Sequence, residues 1–287
     1  MTKGIQPINL VKTTYPCMPF PMIEFGKYCE NPCIYCGLKS VRAPEEKIIA
    51  KGLENTINEI NENYIGTYIS PTTDGFSQHT KEITHRLLER ILPYGKIPLI
   101  ITKQQIPKKT IDLLAKYKNL PVVQISIPTL DESLVKQYEP GSASIKERLR
   151  TIEKLAKNGI STIGLVIPWL GDIENSYELL SAIKNAGAKK CIASLGVFTE
   201  ETKHKMKTSN NQQLINIQKD FNTQSKILIG QGLTLPKERR IKLYKELIGI
   251  GDKIDLNILI CKTALNPSLT KDQVKICDKF KHPLLKK

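Results

Sequence analysis

Residues 22–37 read MIEFGKYCENPCIYCG, an apolar run that passes into three cysteines, Cys29, Cys33 and Cys36, spaced C-x3-C-x2-C. Thiolates are soft ligands that suit iron and zinc, and spacers this short let one loop wrap one inorganic centre. Three of them can hold three irons of a 4Fe-4S cubane and leave the fourth iron without a protein ligand. An open iron can bind a substrate or cosubstrate directly. The competing reading is a closed, four-coordinate zinc site with Cys17 as the fourth ligand, although zinc ligands more often come as two C-x2-C pairs.

Outward from this loop, short Ile/Val-rich runs alternate with amphipathic stretches, the pattern of βα units around a parallel sheet. Strands are predicted at 22–28, 65–70, 97–102, 122–127, 161–167 and 190–197, most of them apolar on both faces. Helices are predicted at 81–92, 144–158 and 174–186. The second carries Ile145, Leu149, Ile152 and Leu155 on one face. Ser144 with Glu147 reads as its capping box, and Asn158-Gly159 as its stop. Six units in this length fit an open barrel better than a closed one of eight strands, which typically takes about 250 residues. The expected fold is therefore α/β, a partial (β/α)6 TIM-like barrel with an open side, plus a short C-terminal extension. Its boundaries fall at 1–20 for an N-terminal extension, 21–200 for the barrel, and 201–287 for a basic extension packed on it. Within that last part, strands at 226–230 and 256–261 and helices near 236–249 and 270–280 are expected. The polar residues 200–225 read as an insertion or mobile loop.

The 287 residues include 43 Lys and Arg against 28 Asp and Glu, a net charge of +15. At 40% hydrophobic and 25% charged, the composition belongs to a chain that folds around a core. Apolar stretches such as 164–170 fall short of the roughly 20 residues of a membrane helix, and residues 1–6 start no signal peptide. The expectation is a soluble cytoplasmic protein with no membrane partner. Its seven cysteines, an odd number, argue against a disulfide framework. His79, His85, His204 and His282 have no metal-ligand spacing.

The C-x3-C-x2-C loop, with aromatic Tyr35 before its last cysteine and placed directly after a first strand, resembles the radical S-adenosylmethionine (SAM) enzymes. Further along, Gln124-Ile125-Ser126-Ile127, Tyr138-Glu139-Pro140-Gly141-Ser142, Arg148-Leu149 and Gly164-Leu165-Val166-Ile167-Pro168 resemble the spore photoproduct lyase branch and its DNA-repair-photolyase-like relatives. The resemblance spans about residues 20–175 and implies a 4Fe-4S cluster on Cys29, Cys33 and Cys36. The open iron in that family chelates the amino and carboxylate groups of SAM. Reductive cleavage then yields a 5'-deoxyadenosyl radical that abstracts hydrogen from substrate.

Carried onto this chain, the resemblance sets Ser126 near the ribose or methionine of SAM, Lys103 near its carboxylate, and residues 70–74, with Thr72, Thr73 and Asp74, at its amino group. Tyr35, Glu139, Arg148 and Pro168 join the implied cofactor-binding set. The family's usual G-G-E loop is absent; Ser70-Pro71-Thr72-Thr73-Asp74-Gly75 stands in its place. The lyases use a cysteine soon after strand two as hydrogen donor, and residues 70–90 contain none. Cys191 and Cys261 can serve as donors or ordinary core residues, with burial the favoured reading; no auxiliary cluster is expected.

On physical grounds Cys29, Thr72, Asp74, Lys103, Ser126 and Pro168 should converge at the C-terminal ends of the strands. Lys103 is otherwise a solvated surface lysine, and Glu139 with Arg148 reads equally as a structural ion pair. Residues 201–287 carry 18 Lys and Arg against 8 Asp and Glu, which favours a polyanionic partner, DNA or RNA. Lys237, Arg239, Arg240, Lys242 and Lys245 open a helix there, with Tyr244 available to pack or stack. A small electron donor such as ferredoxin or flavodoxin is implied. A small-molecule or peptide substrate, or a non-catalytic zinc- or cluster-binding protein, are the alternatives.

Overall fold

The computed structural model describes residues 8–12, 20–26, 29, 31–36, 48–69, 72–227, 230–261 and 270–277. In chain order the elements begin with β1 (Ile8–Val11), β2 (Met22–Phe25), β3 (Ile48–Lys51), α1 (Leu53–Asn63), β4 (Gly66–Ile69), α2 (Lys81–Ile91) and β5 (Ile97–Thr102). Then come α3 (Lys108–Lys116), β6 (Val122–Ser126), α4 (Glu132–Tyr138), α5 (Ile145–Lys157), β7 (Ser161–Trp169), α6 (Ser176–Asn185) and β8 (Lys190–Leu195). The chain continues through α7 (Glu200–Lys207), α8 (Gln212–Asp220), β9 (Thr223–Ile227), β10 (Gly230–Thr234), α9 (Lys237–Lys253), β11 (Asn257–Cys261) and β12 (Ile276–Cys277).

Ten strands form one sheet in the order β12-β11-β8-β7-β6-β5-β4-β2-β1-β3. From β2 to β12 every neighbour is parallel, as βα connections require. The sheet ends at β12 and β3 without closing, so the fold is the α/β partial barrel with an open side that the strand pattern predicts. β1 lies antiparallel between β2 and β3, pairing Asn9 with Glu24 and Lys51.

The two faces of the sheet bury different partners. One packs Ile23, Ile69, Ile100, Val123, Ile125 and Val166 against helix residues such as Leu87, Leu114, Ile152 and Ile183. The other buries Val11, Met22, Tyr68, Leu99, Val122, Ile163, Leu165 and Ile192, all from strands, and is the concave face. Apolar on both sides, these strands bear out the reading of near-continuous hydrophobic runs. α5 begins at Ser144 with both halves of the capping box formed. α9 presses Gly251 on β11, where a Cβ would run into the Ile258 side chain.

Three expectations for the last third are corrected. Within residues 200–225 two helices and the start of β9 stand where a loop was the alternative to an insertion: Thr199 caps α7, Asn211 caps α8, and Met206, Leu214 and Phe221 bury what little apolar surface the polar run has. The expected strand at 226–230 belongs to a separate hairpin of β9 and β10, not to the main sheet; residues 228–229 lie outside the described set. Instead of a helix from 270, a turn capped by Gln273 Oε1 on the Thr270 N–H leads into β12, which pairs with β11. Residues 278–280 lie outside the described residues.

Candidate active site

The cysteine loop follows β2 at its C-terminal end, after Gly26, whose φ of 73° turns the chain out of the strand. Cys33 is buried, Cys29 and Cys36 half-buried, and the Cys36 N–H closes a turn on the Cys33 carbonyl at 3.2 Å. Burial raises the Cys29 thiol, against which the backbone N–H groups of Asp74 and Asn31 act as donors. Burial pushes the Cys33 thiol up to about 11, with Lys103 and the Tyr35 hydroxyl opposing.

Two loops clasp this one. After β4, Thr73 Oγ1 accepts from the Phe25 N–H at 2.9 Å. Asp74 accepts from the Thr102 hydroxyl at 2.7 Å and the Lys103 N–H at 2.8 Å, fixing the ends of β4 and β5 together. On the other side, the E-P-G turn after α4 holds the cysteine loop through Glu139, which accepts from the Tyr35 hydroxyl at 2.5 Å. The Ile34 N–H donates to the Tyr138 carbonyl at 3.1 Å, and the Tyr35 and Tyr138 rings lie 4.6 Å apart. Gly141, at φ 82°, turns the chain so that its carbonyl accepts from Gln104, which also donates to Asn31 at 3.0 Å.

Glu139 and Arg148 are both fully buried and paired at 2.5 Å. Arg148 further donates to the Ser126 carbonyl at 2.9 Å, the Ala143 carbonyl at 2.8 Å and the Ser142 hydroxyl. Each guanidinium nitrogen is therefore engaged, which is what a buried charge needs. Ser126 Oγ donates to the Ile167 carbonyl at 3.3 Å, one residue before buried Pro168. The Lys103 ammonium sits 5.5 Å over the Tyr35 ring. Burial works against its charge, but Glu139, Cys33, Asp74 and Cys29 outweigh that and raise its pKa. Thr72 has a buried hydroxyl with no well-formed hydrogen bond, near Glu24, whose carboxyl burial raises. Ser70 and Pro71 lie outside the described residues.

The donor set fits an anionic, thiolate-held cluster. Three soft sulfurs share one loop, the Lys103 ammonium acts on both Cys29 and Cys33, and the buried Tyr138 hydroxyl, without a partner, is in electrostatic reach of Cys33. Among the described residues no three His, Cys, Asp or Glu side chains gather around a single ion. A cubane asks less of the sulfurs, because each thiolate takes its own iron. Cys17, the fourth ligand of the zinc reading, lies outside the described residues.

Residues 23–186 match the family model of the Radical SAM superfamily. The chain belongs to that superfamily of enzymes. Among curated proteins, this radical SAM protein is 32% identical over 100 residues to the uncharacterised protein ORF301 of Acidianus two-tailed virus, covering 35% of this chain and 33% of the viral one. The chain thus spans about a third of that relative's length. It is 23% identical to the uncharacterised protein MJ0683 of Methanocaldococcus jannaschii, over 63% of this chain and 71% of the relative. Its fold is similar to that of a spore photoproduct lyase complexed with dinucleoside spore photoproduct, at TM-score 0.59 and 16% identity over 82% of this chain and 74% of the lyase. It is also similar to Streptococcus suis SuiB bound to S-adenosylmethionine, at TM-score 0.54 and 17% identity over 86% of this chain and 48% of SuiB.

In this radical SAM protein, Asn31, Gln104 and Tyr138 join the site without having been singled out from sequence. Asn31 and Tyr138 lie inside quoted motifs and Gln104 follows Lys103, yet amide and phenol side chains carry no metal-binding signature of their own. On the basic helix α9, burial decides between packing and stacking for Tyr244. Tyr244 is fully buried, accepts from the Leu195 N–H at 2.9 Å and packs on Trp169, so it is not available to stack on a base. Arg240 is buried too, and Arg239 pairs with Asp220 at 2.9 Å. Among the described residues no helix is long and apolar enough to cross a membrane.

Proposed function

We propose that the protein uses Cys29, Cys33 and Cys36 to hold one 4Fe-4S cluster, and cleaves S-adenosylmethionine beside it to abstract hydrogen from a substrate. The observation that carries this reading is the double clasp on the cysteine loop, through Asp74 on one side and Glu139 on the other. When bound, the cluster supplies the electron that cleaves the sulfonium of S-adenosylmethionine and so releases the 5'-deoxyadenosyl radical.

The chain's own residues bind and orient. Lys103, kept cationic by the acids around it, pairs with the methionine carboxylate. Thr72, Thr73 and Asp74 take the amino group, and Ser126 and Pro168 border the ribose and methionine. Glu139 and Arg148 act as positioning residues, spending their hydrogen bonds on Tyr35 and the end of β6. The apolar concave face keeps water from the radical.

For the substrate we favour a nucleic-acid base or sugar, with electrons from a small donor such as ferredoxin or flavodoxin. The net charge of +15 and the likeness to a spore photoproduct lyase complexed with dinucleoside spore photoproduct support it. A small molecule or peptide is the second reading, favoured by the burial of Arg240 and Tyr244.

The test is anaerobic reconstitution with iron and sulfide, then dithionite and S-adenosylmethionine, with detection of 5'-deoxyadenosine. A brown protein that makes it supports the proposal. One that takes up a single zinc and makes none overturns it. DNA or tRNA binding that weakens steeply with salt supports the nucleic-acid substrate, and salt-indifferent binding removes it.

A further inference from the structure

β11 and β12 run parallel in a register that sets Ile260 opposite Ile276 and Cys261 opposite Cys277. Side-chain alternation turns both isoleucines toward the helices. It turns both cysteines to the concave face, where they pack against the cluster of Met22, Leu99 and Ile192. Both are half-buried. Cys191 makes the contrast: it is fully buried, and its register partners are Gly164 and Ile258. Among the described residues no third metal-ligating side chain joins Cys261 and Cys277.

Neighbouring strands lie about 4.8 Å apart, inside the roughly 4.4–6.8 Å between Cα atoms that a disulfide spans. Parallel neighbours hold their Cβ atoms at about the same spacing, beyond the roughly 3.8 Å mean of a disulfide, so closure draws β12 inward by about 1 Å. β12 can move that far because it is two residues long and, among the described residues, lies at the sheet edge and pairs with β11 alone.

We propose that Cys261 and Cys277 form a reversible dithiol–disulfide couple, oxidised by small-molecule disulfides, that staples the edge strand β12 to the sheet. The thiolate of one cysteine attacks the small disulfide, forming a mixed disulfide and releasing one small thiol. The second cysteine attacks the mixed disulfide at the protein sulfur and releases the other small thiol. Two protein thiols and one small disulfide thus become one protein disulfide and two small thiols. The couple sits at the C-terminal ends of its strands, the end that also carries the metal loop on β2. It does not depend on the radical reading.

The test treats the reconstituted full-length protein, under anaerobic conditions, with glutathione mixtures from fully reduced to fully oxidised. Iodoacetamide trapping and tryptic mapping follow. Trypsin releases Cys261 on the peptide 254–262 and Cys277 on 276–279. The expected result is joint loss of both alkylated cysteines and appearance of the cross-linked pair, reversed by dithiothreitol. In Cys277→Ser, Cys261 should instead stop at the glutathione adduct. Two cysteines that stay alkylated in the oxidised mixture, or that carry only separate glutathione adducts in the unmutated chain, overturn the proposal.

Discussion

Tyr35 donates its phenol hydrogen bond to Glu139 at 2.5 Å, joining residues 104 apart in the chain. Burial, then the Glu139 charge, raises the Tyr35 phenol well above its ordinary value, so it stays a donor. Through Glu139 the bond continues to Arg148 and the end of β6, so the cysteine loop is referred to the barrel by a buried polar chain. A network of this kind is rigid when complete and costly when one member is missing.

Glu139→Ala leaves the Arg148 guanidinium buried without its counter-charge. The expected loss of stability is about 3–5 kcal/mol, read by urea unfolding of the metal-free protein. Arg148→Met in the same chain should recover part of it. Losses that simply add would show the two residues to be uncoupled.

Cys33→Ala should lose the cluster's visible absorbance and all 5'-deoxyadenosine formation, while Cys277→Ala keeps both. Iron analysis with the absorbance spectrum checks this. Loss of the cluster in Cys277→Ala would mean that the ligand assignment is wrong.

Lys103→Met removes one ammonium and, with it, the proposed pairing with the S-adenosylmethionine carboxylate. Charge-assisted hydrogen bonds contribute about 1.5–3 kcal/mol, so the KM for S-adenosylmethionine should rise roughly 10–100-fold. Iron content should stay near that of the unmutated protein. An unchanged KM would mean that Lys103 serves the cysteine loop and Tyr35 and not the carboxylate of S-adenosylmethionine.

Burial pushes the Cys191 thiol from 9.0 up to about 12. The folded state therefore holds this proton where the unfolded chain has released it. Stability from this group is complete below about pH 9 and falls as pH rises toward about 12. Thermal melts of the metal-free protein over that range should show the decline, and Cys191→Ala should flatten it while lowering stability at neutral pH by the loss of a packed side chain.

Lys237 and Lys245 are exposed on α9, whereas Tyr244 is not. Charge reversal of both lysines should weaken DNA binding and lower the slope against log salt by about 2. Tyr244→Phe should leave DNA binding unchanged and cost about 1 kcal/mol of stability through the bond lost to the Leu195 N–H. Fluorescence anisotropy over a salt series measures the first effect and chemical denaturation the second.

Much of the barrel is legible in local pattern. Strands β4 to β8 and helices α2, α5 and α6 fall within a few residues of where periodicity and caps put them, because each carries its apolar stripe and its stop signal within its own span. β1 and β3 escaped. Each is four residues long, and each is a strand only through its antiparallel partners. The short β12 escaped for the same reason, since only pairing with β11 distinguishes it from a loop. α7 and α8 hide in a polar run because Met206, Leu214 and Phe221 are too few to make a periodic face.

What the sequence by itself determined is the chemistry available at the cysteine loop and the class of fold behind it. Cysteine spacing and strand–helix alternation are short-range properties, written within a few residues of each other. Only the tertiary structure decided what Glu139, Arg148 and Tyr244 touch, because the same charged or aromatic side chain can face a ligand, a nucleic acid or the core. Burial makes that choice: a charge taken out of water must find its partners inside the protein. Glu139 and Arg148 found each other, Tyr35 and the end of β6. The pairing of Cys261 with Cys277 is likewise a matter of register, set by which strands lie side by side.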